Sequence, residues 1–349
     1  MCVTFFLFSL NKFQCTNFFE NIHLYSNLGL NIAYRVLENH KDNSKITFVL
    51  SSRTEARFKG AAKLIETYAN SLNPPRTIQC NPLILDLTDM QSILGATQQL
   101  RHDYDHINYL FVNAAQGVCD GINWFKAAKE FVVNPVKAVT DPGYRIENKG
   151  LKSKDEMGYL FQANVFGPHY LIYKVLKLLA LGRATIVWVS SIRSKPASLA
   201  MDDLELLRSE SPYESSKRLI DVLQLATYKE LKNLDIYQYV VQPGIFISQA
   251  TAKHLNWFTY YGMLLMFYIA RVLGSYWHNI DGYRAANAPV YVTTFLDRDF
   301  ERQDIKYGSA TYSDGVEYIK PQEIDPEGKM EVYEFFKDKR SEWDRKLNC

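Results

Sequence analysis

The sequence predicts an α/β fold built on a doubly wound parallel sheet with helices on both faces, carrying insertions and a C-terminal extension. Four short apolar runs rich in branched side chains, 46–50, 109–112, 185–189 and 237–241, read as strands buried on both faces. Longer stretches of helical periodicity, 30–39, 57–72, 90–100, 159–181 and 214–234, lie between and around them. Strands alternating with helices mean crossover units and a parallel sheet. With 47% hydrophobic and 22% charged residues, and no repeat or flexible linker, the chain reads as a single domain over 1–349.

Taken in order, residues 1–25 form an atypical, aromatic N-terminus in which 3–8 reads as a buried strand. It lacks the basic segment and small-residue cleavage site of a signal peptide. Ser26-Asn27-Leu28-Gly29-Leu30 opens the first helix. The strand at 46–50 runs into Ser51-Ser52-Arg53-Thr54, and Asp86-Leu87-Thr88 follows a further strand candidate. The strand at 109–112 leads into Asn113-Ala114-Ala115-Gln116-Gly117. Residues 120–155, with Pro135 and Pro142, read as an insertion of weak periodicity. Asn164-Val165-Phe166-Gly167 lies within the long helical stretch that follows. The strand at 185–189 ends in Ser190-Ser191, and 192–212 is a second, acidic insertion. The strand at 237–241 ends in Gln242-Pro243-Gly244, with Ser248 beyond it. The C-terminal extension, 308–349, reads as turns over 308–328 and an exposed charged helix over 331–346.

Composition narrows the function classes. Lys plus Arg number 40 against 38 Asp plus Glu, so the net charge is +2. A dedicated nucleic-acid binder needs concentrated basic surface, which this balance argues against. The five cysteines are scattered without paired spacing, which argues against a disulfide framework or a zinc site. His102 and His106, four apart in a polar stretch, read as a solvated face, so no metal site is expected.

Residues 254–277 form the second apolar region, and 254–270 carry no formal charge. This charge-free run falls short of the roughly twenty residues of a spanning helix and is dense in Tyr, Trp, Phe, Met and Leu. Rings with a polar tip favour a water–lipid interface. Interfacial insertion, a lid over an apolar ligand, an ordinary core helix and a span all remain open readings.

Tyr213 and Lys217 stand four apart at the start of a predicted helix and share one face. A phenol, with a pKa near 10, trades protons poorly at neutral pH, and an adjacent cation favours its ionisation. Ser190-Ser191 places hydroxyls at the C-terminal edge of a parallel strand, where open α/β sheets bind ligands.

The ordered set of these motifs resembles the short-chain dehydrogenase/reductase family. The stretches 26–31, 109–121, 153–168, 213–219, 240–246, 255–263 and 278–292 resemble its fungal branch acting on 3-keto sterols. The resemblance runs from about residue 26 to the C-terminal helix and includes both insertions. It implies a Rossmann-type fold and NADPH-dependent reduction of a 3-keto sterol to its 3β-alcohol during C-4 demethylation in ergosterol synthesis. It implies Tyr213 as the acid, Lys217 as the group that lowers its pKa and holds the nicotinamide ribose, Ser191 as a hydrogen-bond donor to the substrate oxygen, and Asn164 as part of a water-borne proton relay. Leu28 and Gly29 would approach the pyrophosphate at a helix N-terminus. Asp86 would contact adenine, Asn113 the adenosine ribose region, and Phe246 and Ser248 the nicotinamide end. After Ser51, Arg53 and Arg57 stand where an acidic residue would bind a free 2′-hydroxyl, which suits a 2′-phosphate and favours NADP. The uncharged, aromatic run 254–270, short of a span, predicts peripheral or monotopic attachment to the cytosolic face of the endoplasmic reticulum and to lipid droplets, where a sterol substrate resides. The partners implied by the resemblance are other C-4 demethylation enzymes and the oxidosqualene cyclase.

Residues 1–25 depart from the family pattern. Ile22 and His23 align with its Thr-Gly, Asn27 stands where many members have glycine, and the strand at 3–8 lies too far upstream of the loop. A gene-model error and a diverged N-terminus both account for this. Two rival functions also stand: reduction of another apolar ketone, and a non-catalytic subunit of a sterol-synthesis complex. The latter needs none of Ser191, Tyr213, Lys217 and Asn164.

Overall fold

A computed structural model of the chain describes residues 2–7, 28–40, 45–117, 119–247 and 257–348. Strand β1 (Cys2–Leu7) precedes helix α1 (Leu28–Asn39), followed by β2 (Ile46–Ser52), α2 (Glu55–Ser71), β3 (Ile78–Ile84), α3 (Met90–Asp103) and β4 (Tyr109–Val112). The first insertion holds β5 (Cys119–Ile122), α4 (Trp124–Val133), α5 (Pro135–Thr140) and β6 (Arg145–Glu147), with β5 and β6 paired antiparallel. The predicted 159–181 helix is a series: α6 (Tyr159–Phe161), a π-helical turn (Gln162–Phe166), α7 (Gly167–Lys174) and α8 (Leu176–Leu181). Then come β7 (Thr185–Val189), a 3₁₀ turn (Pro196–Ser198), α9 (Pro212–Lys232), β8 (Tyr237–Gln242) and β9 (Ile245–Phe246). The chain continues through α10 (Trp257–Val272), β10 (His278–Ile280), α11 (Gly282–Ala285), α12 (Asn287–Thr294), β11 (Ile305–Thr311), β12 (Glu317–Glu323) and α13 (Lys329–Leu347).

Among the described residues, eight strands form one sheet in the order β12-β11-β8-β7-β4-β1-β2-β3. Every neighbouring pair is parallel except the β11–β12 hairpin. Strands β2, β7 and β8 are buried at every residue, as parallel strands covered by helices on both faces must be. One apolar cluster packs α3, α6–α9 and α13 on one face, and a second packs α1, α2 and α12 on the other. Both edge strands carry proline, Pro82 in β3 and Pro321 in β12. A residue without an N–H is tolerated at an edge, and there it discourages pairing with another chain.

Three expectations are corrected. The 308–328 stretch is not a run of turns, because most of it is the β11–β12 hairpin. Its strand character was hidden because β11 satisfies a buried face with polar side chains. Ser309 Oγ donates to the Ala285 carbonyl at 2.8 Å and accepts from the Ala288 N–H, and Lys306 sits in a buried ion pair. The C-terminal helix is charged but not simply exposed, since Val332, Phe336 and Trp343 bury one stripe in the first cluster. The strand at 3–8 is not too far upstream. Cys2–Leu7 lies between β4 and β2, in register with both, and 8–27 lie outside the described residues.

Candidate active site

Strand order reverses between β1 and β4, and the candidate residues gather at the carboxyl ends of β2, β4 and β7 beside that switch point. An open cleft there is lined by Ser51, Arg53, Arg57, Asp86, Thr88 and Gln116, among others. Ser51 is buried near the end of β2, Arg53 is exposed, and Arg57 lies in the first turn of α2. Among the described residues neither arginine has a carboxylate partner. Partial burial and the neighbouring Arg53 charge hold the Arg57 guanidinium below its ordinary pKa. Two adjacent cations without a counter-ion, at the mouth of a cleft, suit an anionic group carried by a ligand. Asp86 Oδ1 accepts from the Thr88 N–H at 2.9 Å and the Thr88 hydroxyl at 2.7 Å, which fixes the turn after β3. Asn113 is half-buried at the end of β4, next to the lining residues Ala114–Gln116 but not itself among them. Leu28 and Gly29 are buried at the first turn of α1. Phe246 is half-buried in the β9–β10 pair, and Ser248 lies outside the described residues.

The second group sits at the end of β7 and the start of α9. Pro212 occupies the first turn of α9, where its missing N–H costs nothing. The Tyr213 N–H donates to Glu147 Oε2 at 3.2 Å, so a carboxylate of the first insertion caps that helix end. One turn further, Lys217 is 2% exposed, its Nζ donates to the Val189 carbonyl at 2.7 Å, and it lies 5.7 Å from the centre of the Tyr213 ring. Burial is the main reason its ammonium pKa falls to about 8; Asp221 opposes the fall and Lys306 adds to it. A cation is thereby held beside the phenol in a dry setting, where charge acts strongly.

The Ser190-Ser191 pair divides by role. Ser190 is buried, with its hydroxyl donating to the Lys217 carbonyl at 3.3 Å. Ser191 is half-buried, and its Oγ accepts from the Arg193 N–H at 3.1 Å, leaving its own proton to donate. The second serine is therefore the one equipped to bind a substrate oxygen. Asn164 lies in the π-helical turn, a distortion frequent at functional sites. Its Oδ1 accepts from the Gln116 N–H at 2.7 Å, and its Nδ2 donates to the Gln116 carbonyl and to Ser216 Oγ, both at 3.1 Å. Asn164 thus clamps the loop after β4 to the helix that carries Tyr213 and Lys217.

Sequence reasoning did not single out Gln116, Ser216, Glu147 or the ion pairs of Arg193. Arg193 Nε bonds Asp141 at 3.2 Å and its other arm pairs with Glu214, tying the Ser191 loop to the first insertion and to α9. No local motif marks such residues, because their partners lie between 21 and 66 positions away.

No model of a protein family matches the chain. A 3-keto-steroid reductase of Eremothecium gossypii is 53% identical over 322 residues, covering 92% of each chain. One of Saccharomyces cerevisiae is 53% identical over 324 residues, covering 92% of this chain and 93% of the relative. Solved structures agree in fold. That of ElxO with NADP bound has a TM-score of 0.53 at 15% identity, covering 86% of this chain and 94% of the other. That of YwfH, an NADPH-dependent reductase, has a TM-score of 0.52 at 12% identity, covering 84% and 92%. A doubly wound sheet with the Ser191, Tyr213 and Lys217 arrangement at its carboxyl edge, and identity above half over nine-tenths of the chain, lead to one assignment: the chain belongs to the 3-keto-steroid reductases.

Proposed function

We propose that the chain reduces the 3-ketone of a sterol to the 3β-alcohol during C-4 demethylation, using NADPH. The observation that carries this reading is the buried Lys217 ammonium, hydrogen-bonded to the end of β7 and set against the Tyr213 ring, in a chain whose relatives are named for this reaction. When bound, NADPH supplies the hydride to the carbonyl carbon. Tyr213 gives its phenolic proton to the carbonyl oxygen, and the charge of Lys217 stabilises the phenolate left behind. Ser191 donates a hydrogen bond to the same oxygen, keeping its own proton, and orients the ketone. Asn164 keeps the β4 loop and α9 in place, so that these groups face one another. Arg53 and Arg57 would hold the 2′-phosphate, and Ser51 and Asp86 line the adenosine end of the cleft.

The chemistry is tested by incubating purified protein with NADPH and a detergent-dispersed 3-keto sterol, then separating the epimeric alcohols. The 3β-alcohol is expected. No alcohol, or the 3α epimer, refutes the reading.

The second part of the proposal is attachment to a lipid surface, at the endoplasmic reticulum or lipid droplets. Helix α10 is apolar all round. Tyr260, Phe267 and Ala270 face a small cluster shared with Val139, Ile247 and Ile280. On other faces Trp257, Phe258, Leu265 and Val272 are each at least 60% exposed. Trp124, Phe125, Val132 and Val133 of α4 are exposed as well, and α4 and α5 contribute Phe131, Val136 and Val139 to the same cluster. Exposed apolar surface of this extent favours contact with another apolar phase. No helix among the described residues is long and apolar enough to cross a membrane. A lipid-facing helix that does not span suits a monotopic or peripheral protein whose substrate is dissolved in that lipid.

A further inference from the structure

One turn beyond Lys217, on the same face of α9, Asp221 is buried to 1% exposure of its side chain. Its Oδ2 pairs at 2.5 Å with Nζ of Lys306, which comes from β11 and is itself 8% exposed. The same oxygen lies 2.7 Å from the Ser194 hydroxyl, while Oδ1 is buried without a hydrogen-bond partner. Ser194 Oγ also lies 2.9 Å from the Ser191 carbonyl and accepts a hydrogen bond from Lys306, whose Nζ reaches the Ser191 carbonyl at 3.4 Å. Three elements therefore meet in one buried network: the helix of Tyr213 and Lys217, the loop of Ser191, and the penultimate strand of the sheet.

A buried ion pair is a poor device for stability alone, because removing two charges from water costs about as much as their attraction returns. Its position is more informative. Asp221 and Lys306 are the charged groups that bear on the buried Lys217 from its own helix and from β11. From β7 Lys217 meets the Val189 carbonyl, and the Tyr213 ring lies beside it. Asp221 favours the ammonium and Lys306 disfavours it, and Asp221 is the stronger of the two. The pair also holds the backbone on which the Ser191 hydroxyl is mounted.

We propose that Asp221 and Lys306 are positioning residues for the reduction, a buried pair that keeps Lys217 charged at working pH and anchors the Ser191 loop to α9. This rests on the proposed reductase function and deepens it. Neither residue touches substrate or cofactor. They act through Lys217 and Ser191.

A purely structural pair would lose activity on either substitution, in the same sense. An electrostatic one has opposite signs in its two halves. In Asp221→Asn the alkaline limb of the pH profile of kcat/KM moves down by about one unit, because Lys217 loses its supporting anion. In Lys306→Met the limb moves up, because Lys217 loses a repelling cation. The double variant Asp221→Asn, Lys306→Met removes both buried charges together, and its limb falls between those of the singles. Ser194→Ala keeps both charges and cuts only the hydroxyl bridge, so kcat falls while the limb stays within about 0.3 unit of the unaltered protein. A second readout needs no substrate. Melting temperatures from pH 6 to 10.5, for each background with and without Lys217→Met, report the folded-state titration of Lys217 through linkage. Shifts of one sign in both single variants, no shift in either, or an equal shift in Ser194→Ala overturn the proposal. Absence of turnover in the unaltered protein counts against the reductase reading, and the melting series still decides the ion pair.

Discussion

Replacing Lys217 by methionine separates what this side chain does for the fold from what it does for the reaction. The ammonium is 2% exposed and burial brings its pKa to about 8, from an ordinary 10.5. Each pKa unit is about 1.36 kcal/mol, so holding the charged form costs the folded state about 3 kcal/mol below pH 8. Methionine has similar length, needs no solvation, and forfeits the bond from Nζ to the Val189 carbonyl, a charge-assisted bond of about 2 kcal/mol. The variant is thus expected to be more stable at pH 6.5 by about 1 kcal/mol, about 2 °C in melting temperature for a chain of this size. The sign reverses with pH. Between pH 8 and 10.5 the folded state has released the Lys217 proton while the unfolded chain still holds it, so the unaltered protein gains stability through that window. Near pH 10 the unaltered protein is the more stable by about 1 kcal/mol, and the two melting curves cross near pH 9. Thermal melts at half-unit intervals from pH 6 to 10.5 measure this directly. Reduction of a 3-keto sterol should fall at least about 100-fold in the variant at every pH. A variant less stable at pH 6.5, or a stability gap that does not change with pH, would refute the account of Lys217 as a buried, strained cation.

Three further outcomes are expected. Tyr213→Phe removes only the proton donor, so NADPH affinity by fluorescence titration stays within about twofold while kcat falls by about 10² to 10⁴; retained turnover would move the acid elsewhere. Arg53→Asp places a carboxylate where two cations now line the cleft, so the ratio of NADPH to NADH affinity should drop by about tenfold or more, equivalent to about 1.4 kcal/mol. An unchanged ratio would mean that another residue reads the 2′-phosphate. Trp257, Phe258 and Leu265, all exposed on α10, changed together to Ser should release the protein from lipid-droplet monolayers or vesicles while leaving turnover of a detergent-dispersed ketone within about twofold. Phe267 is left intact in that test because it is buried in the cluster beneath the helix, and its loss would report on folding. Undiminished sedimentation with the lipid would mean that the exposed face serves another contact.

The sequence by itself determined the parallel sheet and which polar side chains stand at its carboxyl edge. Strands such as Ile46–Ser52 and Thr185–Val189 are mostly apolar and buried throughout because both faces are covered, and that pattern is local enough to read directly. The Tyr213–Lys217 spacing is likewise a property of one helix face, and the hydroxyl pair after β7 follows from the end of a strand. Tertiary structure decided everything that depends on distant partners. Only the packed structure shows that Ser190 is turned to the Lys217 carbonyl while Ser191 keeps its proton to donate. The π turn that aims Asn164 at Gln116 and Ser216 is a backbone distortion with no motif of its own. The last two strands were illegible because Lys306, Ser309 and Thr311 point polar groups into a buried face, and a polar side chain looks exposed until its partner is known. The apolar segment divided in the same way. Its composition marked it as unusual, but which of its residues close over the protein, as Tyr260 and Phe267 do, and which are left exposed, as Trp257 and Leu265 are, depends on the cluster built by α5, β10 and the loop after β9. Periodicity and spacing report what one element does with its own neighbours; burial of a charge or a polar group is settled by what another element brings to meet it.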